Sequence, residues 1–137
     1  MIQRIQSVYL VLAAVALASL PFLNFDAGVS LAWFTPTVIG LSGLAALSAV
    51  GCVALYANRE RQLQAVQGVQ VLVIVLAGAF YGGLFLAGGL AVQGAQGILW
   101  PNVAELALPI VAYGLLVLAR RGIKKDIELV ASMDRLR

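Results

Sequence analysis

Four long apolar runs, joined by short polar segments, organise this chain: about Ile5 to Leu23, Thr37 to Ala57, Val69 to Val92 and Val103 to Ala119. Each is close to the roughly 20 residues that a helix needs to cross the hydrocarbon core of a bilayer. From Leu41 to Leu55 every residue is apolar or small. A helix apolar all round is surrounded by lipid or protein, not by water. Pro21 lies near the end of the first run, Pro36 precedes the second and Pro101 precedes the fourth. Proline is tolerated at a helix start because the first amides lack partners there. Pro109, inside the fourth run, is predicted to remove one backbone hydrogen bond and bend that helix. Past the last run, Ile123, Ile127, Val130 and Met133 fall on one side of a helix, with charges over much of the rest. The pattern predicts an all-α integral membrane four-helix bundle, one domain over residues 1–137. The tail, 120–137, is predicted to form a short cytoplasmic amphipathic helix. Arg4 with Ala16, Leu17 and Ala18 also has the look of a secretory signal. The apolar run continues through Pro21, Phe22 and Leu23, so the segment reads as a retained first helix.

Composition removes the soluble alternative. Hydrophobic residues make up 62% of the chain and charged residues 11%, with a mean hydropathy of +0.98. A soluble domain carries about 25% charged residues. Histidine is absent and Cys52 is the single cysteine, so the commonest metal ligand and proton shuttle are missing and no internal disulfide can form. No nucleophile has a base beside it. The expectation is a protein without enzymatic activity, cofactor or nucleic-acid partner.

Charge sets the orientation. The nine Lys and Arg residues fall in three places: Arg4; Arg59 and Arg61; and Arg120, Arg121, Lys124, Lys125, Arg135 and Arg137. With four spans these segments share one side, and Lys and Arg collect on the cytoplasmic side of short loops. Both termini are therefore expected in the cytoplasm of a bacterium, with the bundle in its inner membrane. The opposite region holds Asp26, expected in a turn, and Glu105, expected in the first helical turn, where the helix dipole favours a negative charge. Trp33 and Trp100 lie by the outer ends of spans two and four, as interface anchors would. Tyr9 and Tyr56 lie nearer the inner ends.

Small residues replace the hydrophobic drive when helices pack in lipid. Gly78, Gly82 and Gly89 share one face of the third span and are the candidate packing seam. Gln64, Gln67 and Gln70, like Gln3 and Gln6, follow a three-residue spacing that lines one side of a helix near the inner interface.

The opening Met1 to Leu10, the pair Asn58-Arg59 with Gln62 beyond, and the tail pieces Gly122 to Asp126, Glu128 to Val130 and Asp134 to Arg137 carry a likeness to a known group. The chain resembles a family of short four-span membrane proteins from Bacteroidota and relatives, catalogued only as a domain of unknown function. Ile127 departs from the acidic residue expected there. The resemblance implies topology and lineage, and no activity. The residues that carry it concentrate at the inner face: Gln3, Arg4, Gln6, Asn58, Arg59, Lys124, Lys125, Asp126, Asp134 and Arg135. They are expected to form one polar cluster, with Asp126 or Asp134 pairing with Arg4 or Arg59. The expected role is an accessory subunit or scaffold of a larger membrane assembly, with lipids and other membrane subunits or a second copy as partners. The alternative is a small oligomeric transporter or channel.

Overall fold

The computed structural model describes residues 2–23, 29–88, 93–94 and 97–135, with the side chains of residues 2–4 and 93–94 outside that description. Gly89, Asp26 and Gln96 lie outside the described residues, as do the side chains of Gln3 and Arg4.

Four helices form: α1 Ile2–Ser19, α2 Phe34–Ala54, α3 Arg59–Leu86 and α4 Trp100–Arg135. Single 3-10 turns extend α1 over Leu20–Phe22 and α2 over Leu55–Ala57. Strands β1 Gln93–Gly94 and β2 Gly97–Ile98 pair antiparallel between α3 and α4. All four helices are long and apolar enough to cross a membrane.

A seven-residue rhythm joins them. Buried positions in α3 run Gln62, Val66, Val69, Val73, Leu76, Phe80 and Gly83, with Gln70 and Leu84 buried beside that stripe. In α4 they run Glu105, Pro109, Ala112, Leu116, Ala119, Ile123 and Asp126. In both, spacings of four and three alternate. Gln6, Leu10, Ala13, Leu17 and Leu20 repeat the rhythm in α1, as do Ser42, Ala45, Ala49 and Cys52 in α2. A mean spacing of 3.5 keeps one narrow stripe on the bundle axis, the repeat of left-handed helix packing. Each helix packs on its neighbours in sequence, and α1 closes the ring on α4 with the most extensive contact of all. The outward positions, such as Val11, Leu47, Ile74 and Ile110, are apolar and exposed on every helix. In water such a surface would be one continuous sticky patch.

Cross-contacts order the ends. Gln62 bonds to the Cys52 carbonyl, Gln6 packs on Gly122 and Arg59 meets Asp126. At the other end Phe34 packs on Gly83, and Tyr81 donates to the Leu106 carbonyl at 2.6 Å. Successive helices therefore run up and down. The start of α1, the α2–α3 corner and the far part of α4 share one end.

The helices do not coincide with the apolar runs. α2 begins at Phe34, ahead of the expected Thr37, because Pro36 fits inside the first turn and the Trp33 carbonyl accepts from the Thr37 amide at 3.2 Å. α3 begins at Arg59, well before Val69, because the Asn58 side chain accepts from the Arg61 amide at 3.1 Å and caps it. It stops at Leu86, short of Val92. There Gly88 takes φ +71° just past the end, a conformation in which glycine carries no Cβ penalty. The separate tail helix is corrected to a continuation of α4, which runs without a break to Arg135. The seam residues Ala119, Ile123 and Asp126 carry the packing stripe through the expected junction, and no cap interrupts it.

The glycine seam is also corrected as far as this chain's own packing goes. A Cβ added to Gly78 or Gly82 would meet nothing within 4 Å, because both face outward. Gly83 is the glycine that α3 uses inside the bundle: a Cβ there would run into the Phe34 ring. Gly78→Ala and Gly82→Ala are therefore expected to leave the monomeric bundle intact, or to stabilise it by up to about 1 kcal/mol each through helix propensity. Unfolding of the detergent-solubilised protein measures this. A loss of stability in the monomer would mean that the face is packed after all.

Candidate polar collar at the basic end

The seams change character at one end. Apolar through most of their length, they finish on Gln6 in α1, Gln62 in α3 and Asp126 in α4, with Gln70 two turns deeper. The described basic side chains gather here too: Arg59, Arg61, Arg120, Arg121, Lys124, Lys125 and, on the last turn of α4, Arg135.

The collar is tied mainly to α4. The Arg59 guanidinium lies 3.7 Å from the Asp126 carboxylate, and the same nitrogen donates to the Asp126 backbone carbonyl at 3.4 Å. This clasp fixes the start of α3 against α4. Arg120 donates to the Gln70 side-chain oxygen at 3.4 Å. Gln62 turns inward and donates to the Cys52 carbonyl at 3.0 Å, near the end of α2, where that oxygen also accepts from the Leu55 amide. Gln6 sits beneath Gly122, so close that a Cβ there would fall 2.8 Å from its Cγ. The side-chain nitrogens of Gln6 and Gln70 are buried without a hydrogen-bond partner.

The structure divides the expected cluster. It brings Gln6, Arg59 and Asp126 into the collar, with Asn58 beside it. Asn58 does not reach into the cluster, because its side chain caps α3. Lys124 and Lys125 face outward from α4, in a groove against α1. Asp134 lies beyond the collar on the projecting part of α4 and lines a second groove with Asn58, Arg59 and Glu60. Arg135 is exposed at the helix end. The Gln64-Gln67-Gln70 row does not act as one face: Gln64 is exposed, Gln67 half-buried and Gln70 buried. The seven-residue rhythm picks out Gln62, and Gln70 lies beside the stripe, next to Val69. Gln62 and Arg120 are functional candidates that spacing by threes missed, and of the row it named only Gln70 joins them.

Glu105 is corrected as well. α4 begins at Trp100, so Glu105 falls in the second turn, on the buried stripe rather than at an exposed start. Trp33 packs edge-on against Phe34, with ring centroids 6.1 Å apart. Trp33 and Trp100 are both exposed at the end opposite the basic residues. Among the described residues no group of three or more metal-ligating side chains gathers.

A family model described as a domain of unknown function (DUF4293) matches residues 24–136. The matched stretch holds α2, α3 and α4, and leaves the opening Met1 to Leu10 outside it. No curated protein and no solved structure matches the chain.

Proposed function

Since the chain belongs to this family of unknown function, we propose, from its own geometry, that it is a non-enzymatic inner-membrane protein serving as an accessory subunit or scaffold of a larger membrane assembly. The outward apolar faces of all four helices support the membrane setting. The gathering of Lys and Arg at one end supports a cytoplasmic location for that end and for both termini. Trp33 and Trp100 then anchor the outer ends of α2 and α4.

One observation carries the scaffold reading. α4 continues past the collar to Arg135, and Leu129, Val130 and Met133 stand exposed on it beside Asp134 and Arg135. A helix of 36 residues is about 54 Å long, against a hydrocarbon core of about 30 Å. The Arg59–Asp126 clasp holds its base. The result is a stiff arm with an apolar edge, suited to docking a partner.

Extraction in mild detergent followed by native mass measurement tests this. The full chain is expected in a complex heavier than a monomer. A chain ending at Ile127 is expected to keep the helical content and thermal stability of the bundle and lose the complex. Recovery of the full chain as a lone monomer, with nothing co-purifying, would overturn the reading. Leu10, Leu17, Leu76, Phe80 and Leu116 fill the axis of the single bundle, so the alternative, a small oligomeric transporter or channel, needs its path between copies.

A further inference from the structure

We infer that the groove between α1 and α4 at the basic end is a binding site for the phosphate of an anionic phospholipid. The groove, about 580 Å³, is lined by Tyr9, Leu118, Arg121, Gly122, Lys124, Lys125 and Glu128. Its residues are ordered along α4 as a phospholipid is ordered along its own length. Leu118, exposed and apolar, lies on the side of the spanning segment and would meet acyl chain. Arg121, Lys124 and Lys125 follow at spacings of three and four, so the three cations share one face, one turn further out. Glu128 comes last.

Three features make this more than a charged rim. Among the described residues Arg121, Lys124 and Lys125 have no hydrogen-bonded or ion-paired carboxylate: Asp126 is engaged by Arg59 on another side of α4. Glu128 is the one acid against three bases in the groove, which leaves an excess of positive charge for an anionic lipid to neutralise. Gly122 lines the groove, and packed behind it, outside the lining, is the Gln6 amide, 4% exposed, with its nitrogen unpartnered and 3.3 Å from where a Gly122 Cβ would stand. A buried donor without a partner is costly, so a shift of α1 against Gly122 that opens it to a headgroup oxygen is favoured. Basic pockets between spanning helices on the cytoplasmic side suit anionic headgroups in this way.

The inference rests on the membrane reading above, and its test separates the two. Full-length protein is purified in mild detergent, delipidated, and titrated with phosphatidylglycerol or with phosphatidylethanolamine of the same acyl chains. Lipid adducts are counted by native mass spectrometry. Phosphatidylglycerol is expected to be retained preferentially. Retention is expected to fall roughly a hundredfold in the Arg121→Gln/Lys124→Gln/Lys125→Gln variant, about a factor of five for each basic residue. Arg121→Gln and Lys125→Gln alone, both at exposed positions, are each expected to lose about that single factor. Arg61→Gln, outside the groove, is expected to behave as wild type. Equal retention of the two lipids, or full retention by the single variants, would overturn the site. Displacement of the lipid by millimolar inorganic phosphate would make it a free-anion site instead and overturn the lipid assignment. Failure of the membrane reading would register elsewhere, as chain recovered in the soluble fraction without detergent.

Discussion

Gly83→Val is expected to prevent the bundle from closing at the end opposite the basic residues. The Phe34 ring lies where a Cβ at Gly83 would stand, and Phe34 is itself fully buried, stacked on Phe80 with centroids 6.2 Å apart. It has nowhere to swing without opening the α2–α3 contact. Overpacking a well-filled core costs about 1–3 kcal/mol, and a β-branched side chain against an aromatic ring belongs at the upper end or beyond. Gly83→Ala is expected to cost about 2 kcal/mol by the same contact. The decisive measurement is a double-mutant cycle. With Phe34→Ala in place the ring is gone, and Gly83→Ala is expected to become neutral, or to stabilise by up to about 1 kcal/mol through helix propensity. An unchanged cost for Gly83→Ala in that background would show that the ring is not what glycine makes room for. Denaturant unfolding in detergent micelles reads all four corners.

The Arg59–Asp126 clasp is expected to respond unequally to the loss of either partner. The Asp126 side chain is 11% exposed and that of Arg59 is 32% exposed. Arg59→Ala strands a carboxylate where little water reaches it, and is expected to cost about 2 kcal/mol. Asp126→Asn leaves a guanidinium that can turn toward water and still reach the Asp126 carbonyl, and is expected to cost less than about 1 kcal/mol. Thermal unfolding of the two variants in the same detergent checks the order. An equal cost, or a larger one for Asp126→Asn, would mean that the carboxylate finds solvent more easily than its burial indicates.

Much of this architecture is legible in the amino-acid order, because helices long and apolar enough to cross a membrane leave a coarse signal. Apolar runs of spanning length and complete sorting of Lys and Arg report helix number and the end at which the charges gather. Helix limits are less legible. They depend on single capping events, such as Asn58 closing α3 on the Arg61 amide, which hydrophobicity does not register. The glycines mislead for a related reason. Gly78-xxx-Gly82 reads as a seam, but small residues at that spacing say which residues share a face and not where the face points. The repeat of fours and threes through Val66, Val73, Leu76 and Phe80 supplies that direction and places Gly83 inside. The same repeat extends through Ala119, Ile123 and Asp126, so the continuity of α4 was readable where a change from apolar to charged composition suggested a break. The Arg120–Gln70 bond was not readable, since it joins residues whose approach is set by how α3 and α4 align along the bundle.

The ring order bears on biogenesis. The most extensive helix contact joins α1 to α4, so of these four helices the one made earliest packs chiefly on the one made latest. About 80 residues separate them, and at roughly 5–20 residues per second the ribosome takes on the order of 10 s to bridge that interval. Until then the α1 stripe from Gln6 to Leu20 can be covered on its α2 side only. A nascent three-helix intermediate thus holds an open flank with an amide at its edge, and closure waits for α4. Chains interrupted before α4 remain in that open state, which makes the speed at which α4 is made a determinant of yield.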